Sequence, residues 1–244
     1  MPDERDPRAF FSAHHHAYVV SPGHAHGRDL DRLVIGLAPK PGERAVDVAT
    51  GAGHTALRLA EHGAEVSIVD ITHEMLEDAL TLAQDRHLNL TAVEAPAEAL
   101  PFSDKSFDLV TCRRAAHHFT DIAQFLSEAH RILRTGGRLG ISDMTGSQTG
   151  IPWLNRVENL RDPSHRRALA PDEWYALLIA ADFHDIVIEL SEEFMNPLEW
   201  LAPVDPTSSN GRQALAYITE KTAPREFFRS GYFIKRRILI WAQA

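Results

Sequence analysis

Residues 44–60 read Arg-Ala-Val-Asp-Val-Ala-Thr-Gly-Ala-Gly-His-Thr-Ala-Leu-Arg-Leu-Ala. Ala45 to Ala49 is a short, largely apolar run with valines at alternate positions, the pattern of a parallel strand buried on both faces. Thr50-Gly51-Ala52-Gly53 is a turn, and from Thr55 onward apolar residues recur at helical spacing as Ala56, Leu59 and Ala60. A strand, a glycine turn and a helix N-terminus together form a cradle for a nucleotide or cofactor. The glycines let the backbone approach the ligand, and the first helical turn offers N–H groups that have no partner within the helix.

Working outward, the pattern has two readings. Gly51, Gly53 and Ala56 satisfy the G-x-G-x-x-G/A dinucleotide fingerprint, with Asp70 near the position of its ribose-binding acid. Asp47, however, stands inside the strand, where a carboxylate is costly unless it has partners. Val66 to Asp70 is a second buried strand ending in an acid, placed to accept two hydrogen bonds from a ribose diol at the carboxyl edge of a doubly wound sheet. Asp70 could instead cap the helix carrying Met75, Leu76 and Ala79, although Thr72 is placed to cap that helix unaided. Strands are expected at Leu88–Glu94, Phe107–Cys112 and Arg138–Asp143, with an amphipathic helix from Asp121 to Leu133 stopped at Thr135-Gly136-Gly137.

Upstream, Arg28 to Leu37 predicts a helix with Leu30, Leu33, Val34 and Leu37 inward. Before it lies FFSAHHHAYVVSPGHAH, which holds five of the fourteen histidines. No pair of them has metal-ligating i, i+4 spacing within one clear helix, so no metal is expected. The segment reads either as a flap whose aromatic and imidazole groups cover a ligand or as a surface helix on the sheet. Residues 1–10 are polar, carry two prolines and are expected to be loosely held.

The 244 residues suit one large domain, with 44% hydrophobic and 24% charged residues. A single cysteine, Cys112, excludes an internal disulfide framework and reads as an inert core residue. The charged N-terminus lacks the apolar stretch of a signal peptide, and no run is long enough to span a membrane, so a cytoplasmic location is expected. The net charge of −9 argues against nucleic acid as partner, although Arg113, Arg114, Arg131 and Arg134 could form a local patch. A small-molecule partner is preferred.

Taken together, the Asp47 strand and glycine turn, Asp70, the loop Ala97-Glu98-Ala99-Leu100-Pro101-Phe102, Ser106-Phe107-Asp108-Leu109-Val110 and Arg131-Ile132-Leu133-Arg134-Thr135-Gly136-Gly137 resemble the class I S-adenosylmethionine (SAM)-dependent methyltransferases over residues 44–143. The nearest branch includes the ubiquinone/menaquinone-biosynthesis C-methyltransferases. The resemblance implies an α/β fold: a doubly wound, Rossmann-like, seven-stranded and mostly parallel sheet with helices on both faces and the last strand antiparallel. It implies an N-terminal helical cap over residues 1–43 and a methyltransferase-like domain over 44–244, with a lid insertion near 145–170. The cofactor would be SAM, with S-adenosylhomocysteine as product.

By the same resemblance, Asp47 orients the glycine turn near the methionine moiety, and Ala49, Thr50, Gly51 and Gly53 form that turn. Ala49 and Thr50 stand where glycine and cysteine are more usual. Asp70 would bind the ribose, Ile71 would pack on adenine, and Ala97 with Glu98 would meet the adenine edge. Pro96 replaces a frequent aspartate there, shifting adenine recognition to the backbone. Arg113 would meet the methionine end through its main chain. His117 and His118 lie where the acceptor sits, and one of them, or Tyr18, could take a proton from it. Either histidine could equally pack on the next helix. Two other readings stay open: an NAD-dependent oxidoreductase built on the same turn, and a SAM-binding protein without catalysis. The arginines and lysine at 235–237 read as a solvated strand edge.

Overall fold

The computed structural model describes residues 6–220 and 222–244. Of the residues expected to be loosely held, 1–5 lie outside the described ones; Asp6 already caps a helix, its carboxylate accepting from the Arg8 N–H at 3.0 Å. The helices are α1 (Pro7–Val19), α2 (Pro22–Ala25), α3 (Arg28–Leu37), α4 (His54–Glu61), α5 (His73–Asp85), α6 (Ile122–Ile132), α7 (Ile151–Arg161), α8 (Pro171–Ala180), α9 (Pro197–Leu201) and α10 (Ser209–Ile218). The strands are β1 (Arg44–Val48), β2 (Glu65–Asp70), β3 (Leu90–Glu94), β4 (Phe107–Arg113), β5 (Leu133–Met144), β6 (His184–Met195), β7 (Phe228–Arg229) and β8 (Tyr232–Gln243).

The strands form one sheet in the order β3-β2-β1-β4-β5-β8-β6, with the two-residue β7 paired to β8. β1 through β5 run parallel, and β8 is antiparallel to both of its neighbours. The order reverses between β1 and β4, which opens a crevice at the carboxyl ends of these strands. Apolar runs without alternation build the centre because both faces are covered. One face packs α3, α4 and α5 through Leu30, Leu33, Leu59, Leu76 and Ala79; the other packs α6 and α8 through Phe125, Leu126, Trp174 and Leu178. A third cluster joins α7, α9 and α10 through Leu154, Val157, Trp200, Leu201, Ala214 and Ile218, and Phe233 of β8 anchors it to the sheet.

Three local readings change. The Thr135-Gly136-Gly137 segment is a corner inside β5 rather than a helix stop: Gly136 N–H donates to the Ala244 carbonyl at 2.6 Å, and Ala244 N–H to that of Gly137 at 3.0 Å. Lys235 to Arg237 are not a solvated edge. β8 is interior, the edge is β6, and Arg237 is only 4% exposed. No basic patch forms from the four arginines either: Arg113 and Arg114 bind Asp29, Arg131 binds Glu128, and Arg134 binds Asp108. The Arg131–Glu128 pair has another role, donating to the Phe102 and Leu100 carbonyls and accepting from Leu100 N–H, which pins the loop of residues 97–102. Among the described residues no helix is long and apolar enough to cross a membrane.

Candidate active site

A cavity of about 310 Å³ opens over the crevice between β1 and β4. Of the residues singled out in the sequence, Tyr18, Asp47, Ala49, Thr50, Gly51, Asp70, Ile71, Ala97, Glu98, Arg113 and His118 line it. Gly53 and His117 do not. Gly53 instead lets α4 approach α5: at φ +80° a Cβ would fall 2.7 Å from the Ala79 Cβ. Ala49 holds φ +52°, a left-handed conformation that explains why glycine is more usual there.

Asp47 has the partners its burial requires. The hydroxyls of Thr50 and Thr111 each donate to it at 2.6 Å, coupling the glycine turn to β4. Burial lifts its carboxyl to about 6, against the pull of those hydroxyls and of Arg113. Asp70 accepts from Gly51 N–H and Thr72 N–H, both at 2.9 Å. It therefore holds both the turn and the start of α5, and one lone pair on each oxygen is left for a diol. Thr72 sits at the N-cap but its hydroxyl makes no capping bond, so the unaided cap expected there is not formed. Glu98 spends one oxygen on the start of α6, accepting from Thr120 N–H at 2.8 Å and the Thr120 hydroxyl at 2.7 Å.

The opposite wall comes from the N-terminal segment. α1 lies along α5, tied by Ser12 to Glu74 at 2.8 Å and by His15 to Asp78 at 2.6 Å, and it brings Phe11 and Tyr18 to the cavity. His24 follows from α2. Burial raises the Tyr18 phenol, only partly offset by Arg161, so it stays protonated near neutrality. Arg113 anchors this segment through its side chain, donating to Asp29 at 2.8 and 3.1 Å and to the His24 carbonyl at 3.0 Å. Asp29 also takes two bonds from Arg114, at 2.9 and 2.6 Å, and one from Ser142 at 3.1 Å. No sequence pattern distinguishes Asp29 from an ordinary acid in the first turn of a helix.

The two histidines separate in role. His117 stands behind the wall, its Nδ1–H donating to Asp143 at 2.5 Å while its backbone N–H donates to the other oxygen at 3.0 Å. Burial and the neighbouring His118 hold the His117 imidazole well below its ordinary value; burial lifts Asp143 to about 6, countered by the Met144 N–H and His118. His118 faces the cavity, with the edge of its ring set against Phe11 at 5.0 Å between centroids. The Ser164 hydroxyl donates to Asp162 at 2.6 Å, so its oxygen accepts from His118 Nδ1–H at 3.1 Å. That leaves His118 Nε2 as a proton acceptor with the Asp162 carboxylate 4.0 Å away. Asp162 and Ser164 come from the segment after α7, more than forty residues downstream, and are absent from the sequence-level candidates.

Strand order, the antiparallel β8 and the glycine turn under the cavity define the class I methyltransferase architecture. The methyltransferase domain family matches residues 46–141. An uncharacterized methyltransferase of Bacillus subtilis, YcgJ, is 38% identical over 159 residues, 64% of this chain and 63% of that protein. The ubiquinone/menaquinone biosynthesis C-methyltransferase UbiE of Zymomonas mobilis is 41% identical over 171 residues, 69% of this chain and 66% of that protein. The solved YcgJ structure superposes with a TM-score of 0.82 at 28% identity, covering 89% of this chain and 98% of that one. A candidate methyltransferase of Bacillus halodurans gives 0.81 at 32% identity, with 89% and 99% covered. The chain thus spans just under two thirds of the curated relatives it matches first, and nearly the whole of these solved neighbours. It belongs to the SAM-dependent methyltransferases.

Proposed function

We propose that the protein transfers the methyl group of SAM to a small-molecule acceptor held between the glycine turn and the N-terminal segment. The observation that carries this reading is the single cavity bounded by Gly51 and Asp70 on one side and by Tyr18, His24 and His118 on the other. The residues fit the cofactor. A Cβ on Gly51 would meet nothing within 4 Å, so the turn presents bare backbone to the cavity. Asp70 keeps two acceptor sites for a ribose diol, and Ile71 and Met75 supply apolar contact for a base. When bound, SAM supplies an electrophilic methyl on a sulfonium.

The chain's own residues do the rest. α1 and the segment after α7 exclude water and orient the acceptor, which accounts for much of the rate in a direct displacement. His118 Nε2 takes a proton from an acceptor hydroxyl, amine or acidic carbon, and Asp162 stabilises the imidazolium that results. Tyr18, kept protonated, donates a hydrogen bond rather than acting as base. His117 and Asp143 buttress the His118 ring from behind.

Calorimetry with S-adenosylhomocysteine, SAM and NAD tests the cofactor. Asp70→Ala is expected to weaken S-adenosylhomocysteine by roughly 1–3 kcal/mol, the loss of charge-assisted hydrogen bonds; NAD binding without a response to either sulfur compound would refute the reading. Once an acceptor is found by screening, His118→Ala should lower kcat by about 10²–10⁴-fold while leaving S-adenosylhomocysteine affinity within a factor of two or so. An unchanged kcat would remove His118 as the base.

A further inference from the structure

The cavity is lined by four arginines, Arg8, Arg113, Arg114 and Arg166, beside the acids Asp6, Asp47, Asp70 and Glu98, in a chain with a net charge of −9. Arg166 lines the cavity, and among the described residues its guanidinium has no acidic partner, whereas its neighbour Arg167 pairs with Glu173. Its position is fixed: the backbone N–H groups of Arg166 and Arg167 donate to the His117 carbonyl at 2.9 and 3.0 Å, beside the imidazole that faces the acceptor. Beneath the wall stand two more cations from β8. Arg237 is 4% exposed and its Nε–H has no hydrogen-bond partner; Lys235 is half-buried two residues before it.

These two cations share the β8 face that, further along, packs Leu239 and Trp241 beneath α3. Asp29 accepts its hydrogen bonds from Arg113, Arg114 and Ser142 and faces Arg237 through charge alone. A buried cation with no hydrogen-bonded counter-ion is costly, so Arg237 contributes less to stability than a directly paired arginine would. The β8 cations also sit away from the glycine turn. β8 is three strands from β1, about 14 Å at ordinary strand spacing. His24 itself lines the cavity, and burial lowers its imidazole, with Arg114, Lys235, Arg113 and Arg237 acting in the same direction.

Resting on the methyltransferase reading, we infer that the acceptor is an organic anion whose carboxylate or phosphate oxygens bind Arg166, in a positive field deepened by Lys235 and Arg237. Arg presents a planar fork that matches such oxygens, and the acids that share the cavity are already engaged: Asp6 by the Arg8 N–H, Asp47 by Thr50 and Thr111, Asp70 by Gly51 and Thr72, and Glu98 by Thr120. The apolar body of the acceptor would lie against Phe11 and Phe119.

The test uses protein saturated with S-adenosylhomocysteine and three probes of similar shape: benzoate, phenyl phosphate and the neutral benzamide. Benzoate or phenyl phosphate should bind at least tenfold tighter than benzamide, and whichever of the two binds tighter identifies the anion class. Arg166→Gln, a change at an exposed side chain, should abolish that preference, and Arg166→Lys should restore part of it. Arg237→Met should raise the Tm of the ligand-free protein while reducing anion affinity severalfold. Equal binding of the three probes, or no binding of any, overturns the inference, as does an Arg166→Gln variant that keeps the preference. It also fails if Arg166→Gln weakens S-adenosylhomocysteine instead, because the charge would then serve the cofactor. Failure of S-adenosylhomocysteine to bind at the outset would refute the methyltransferase reading itself.

Discussion

Asp29→Ala is expected to cost roughly 3–5 kcal/mol of stability, because it leaves two buried arginines without their counter-ion. Asp29 is 5% exposed and accepts four bonds from Arg113 and Arg114, whose side chains are themselves 5% and 8% exposed. For a chain of this size the loss corresponds to a fall in Tm of about 6–20 °C, measurable by calorimetry. Asp29→Asn, which keeps the volume and part of the hydrogen bonding, should lie between the variant and the parent. A change of less than about 1 kcal/mol, as at an ordinary surface pair, would show that the arginines find other partners.

The same group sets an acid limb. Burial alone would raise the Asp29 carboxyl, but Arg237, Arg113 and Arg114 overcome it and hold the folded-state value well below the usual carboxylate range. A depressed folded value means that the contribution is complete above the unfolded pKa of about 4 and is lost as pH falls below it. Stability of the parent should therefore decline below about pH 4 more steeply than that of Asp29→Ala. Parallel declines would assign the acid limb to other carboxylates.

Gly53→Val should be the most damaging change in the glycine turn. The Cβ would stand 2.7 Å from the Ala79 Cβ at φ +80°, so α4 and α5 must separate or the turn must refold. Overpacking and a β-branched residue in the left-handed region together amount to about 3–5 kcal/mol. Gly53→Ala meets the same contact with a smaller backbone penalty and should lose less. Both should weaken S-adenosylhomocysteine more than tenfold in calorimetry, since α4 carries the end of the cradle. Gly51→Ala makes a useful contrast: its Cβ would meet no protein atom within 4 Å, so beyond the roughly 1–2 kcal/mol of a left-handed φ of +52° its effect should fall on the ligand. Equal stability of Gly53→Val and the parent would mean that the two helices adjust freely.

The sequence by itself determined the sheet and the glycine turn at its centre. β1, β2 and β4 are apolar without alternation because both faces are covered, and that pattern is local. The glycine turn, Asp47 and Asp70 were equally legible, because positive φ and a carboxylate at a strand end are constraints that each residue carries with it. The α3 face was readable from Leu30, Leu33, Val34 and Leu37, all of which are buried. What the sequence left open was settled by groups far apart in the chain. Asp29 meets Arg113 and Arg114 across more than eighty residues, and Ser164 and Asp162 meet His118 across more than forty. β8 became interior only because β6 returned to pair on its far side. Whether a charge is solvated or buried depends on what packs over it, and no local pattern carries that information. The tertiary structure therefore decided which histidine faces the cavity and which arginines are spent on ion pairs within the fold.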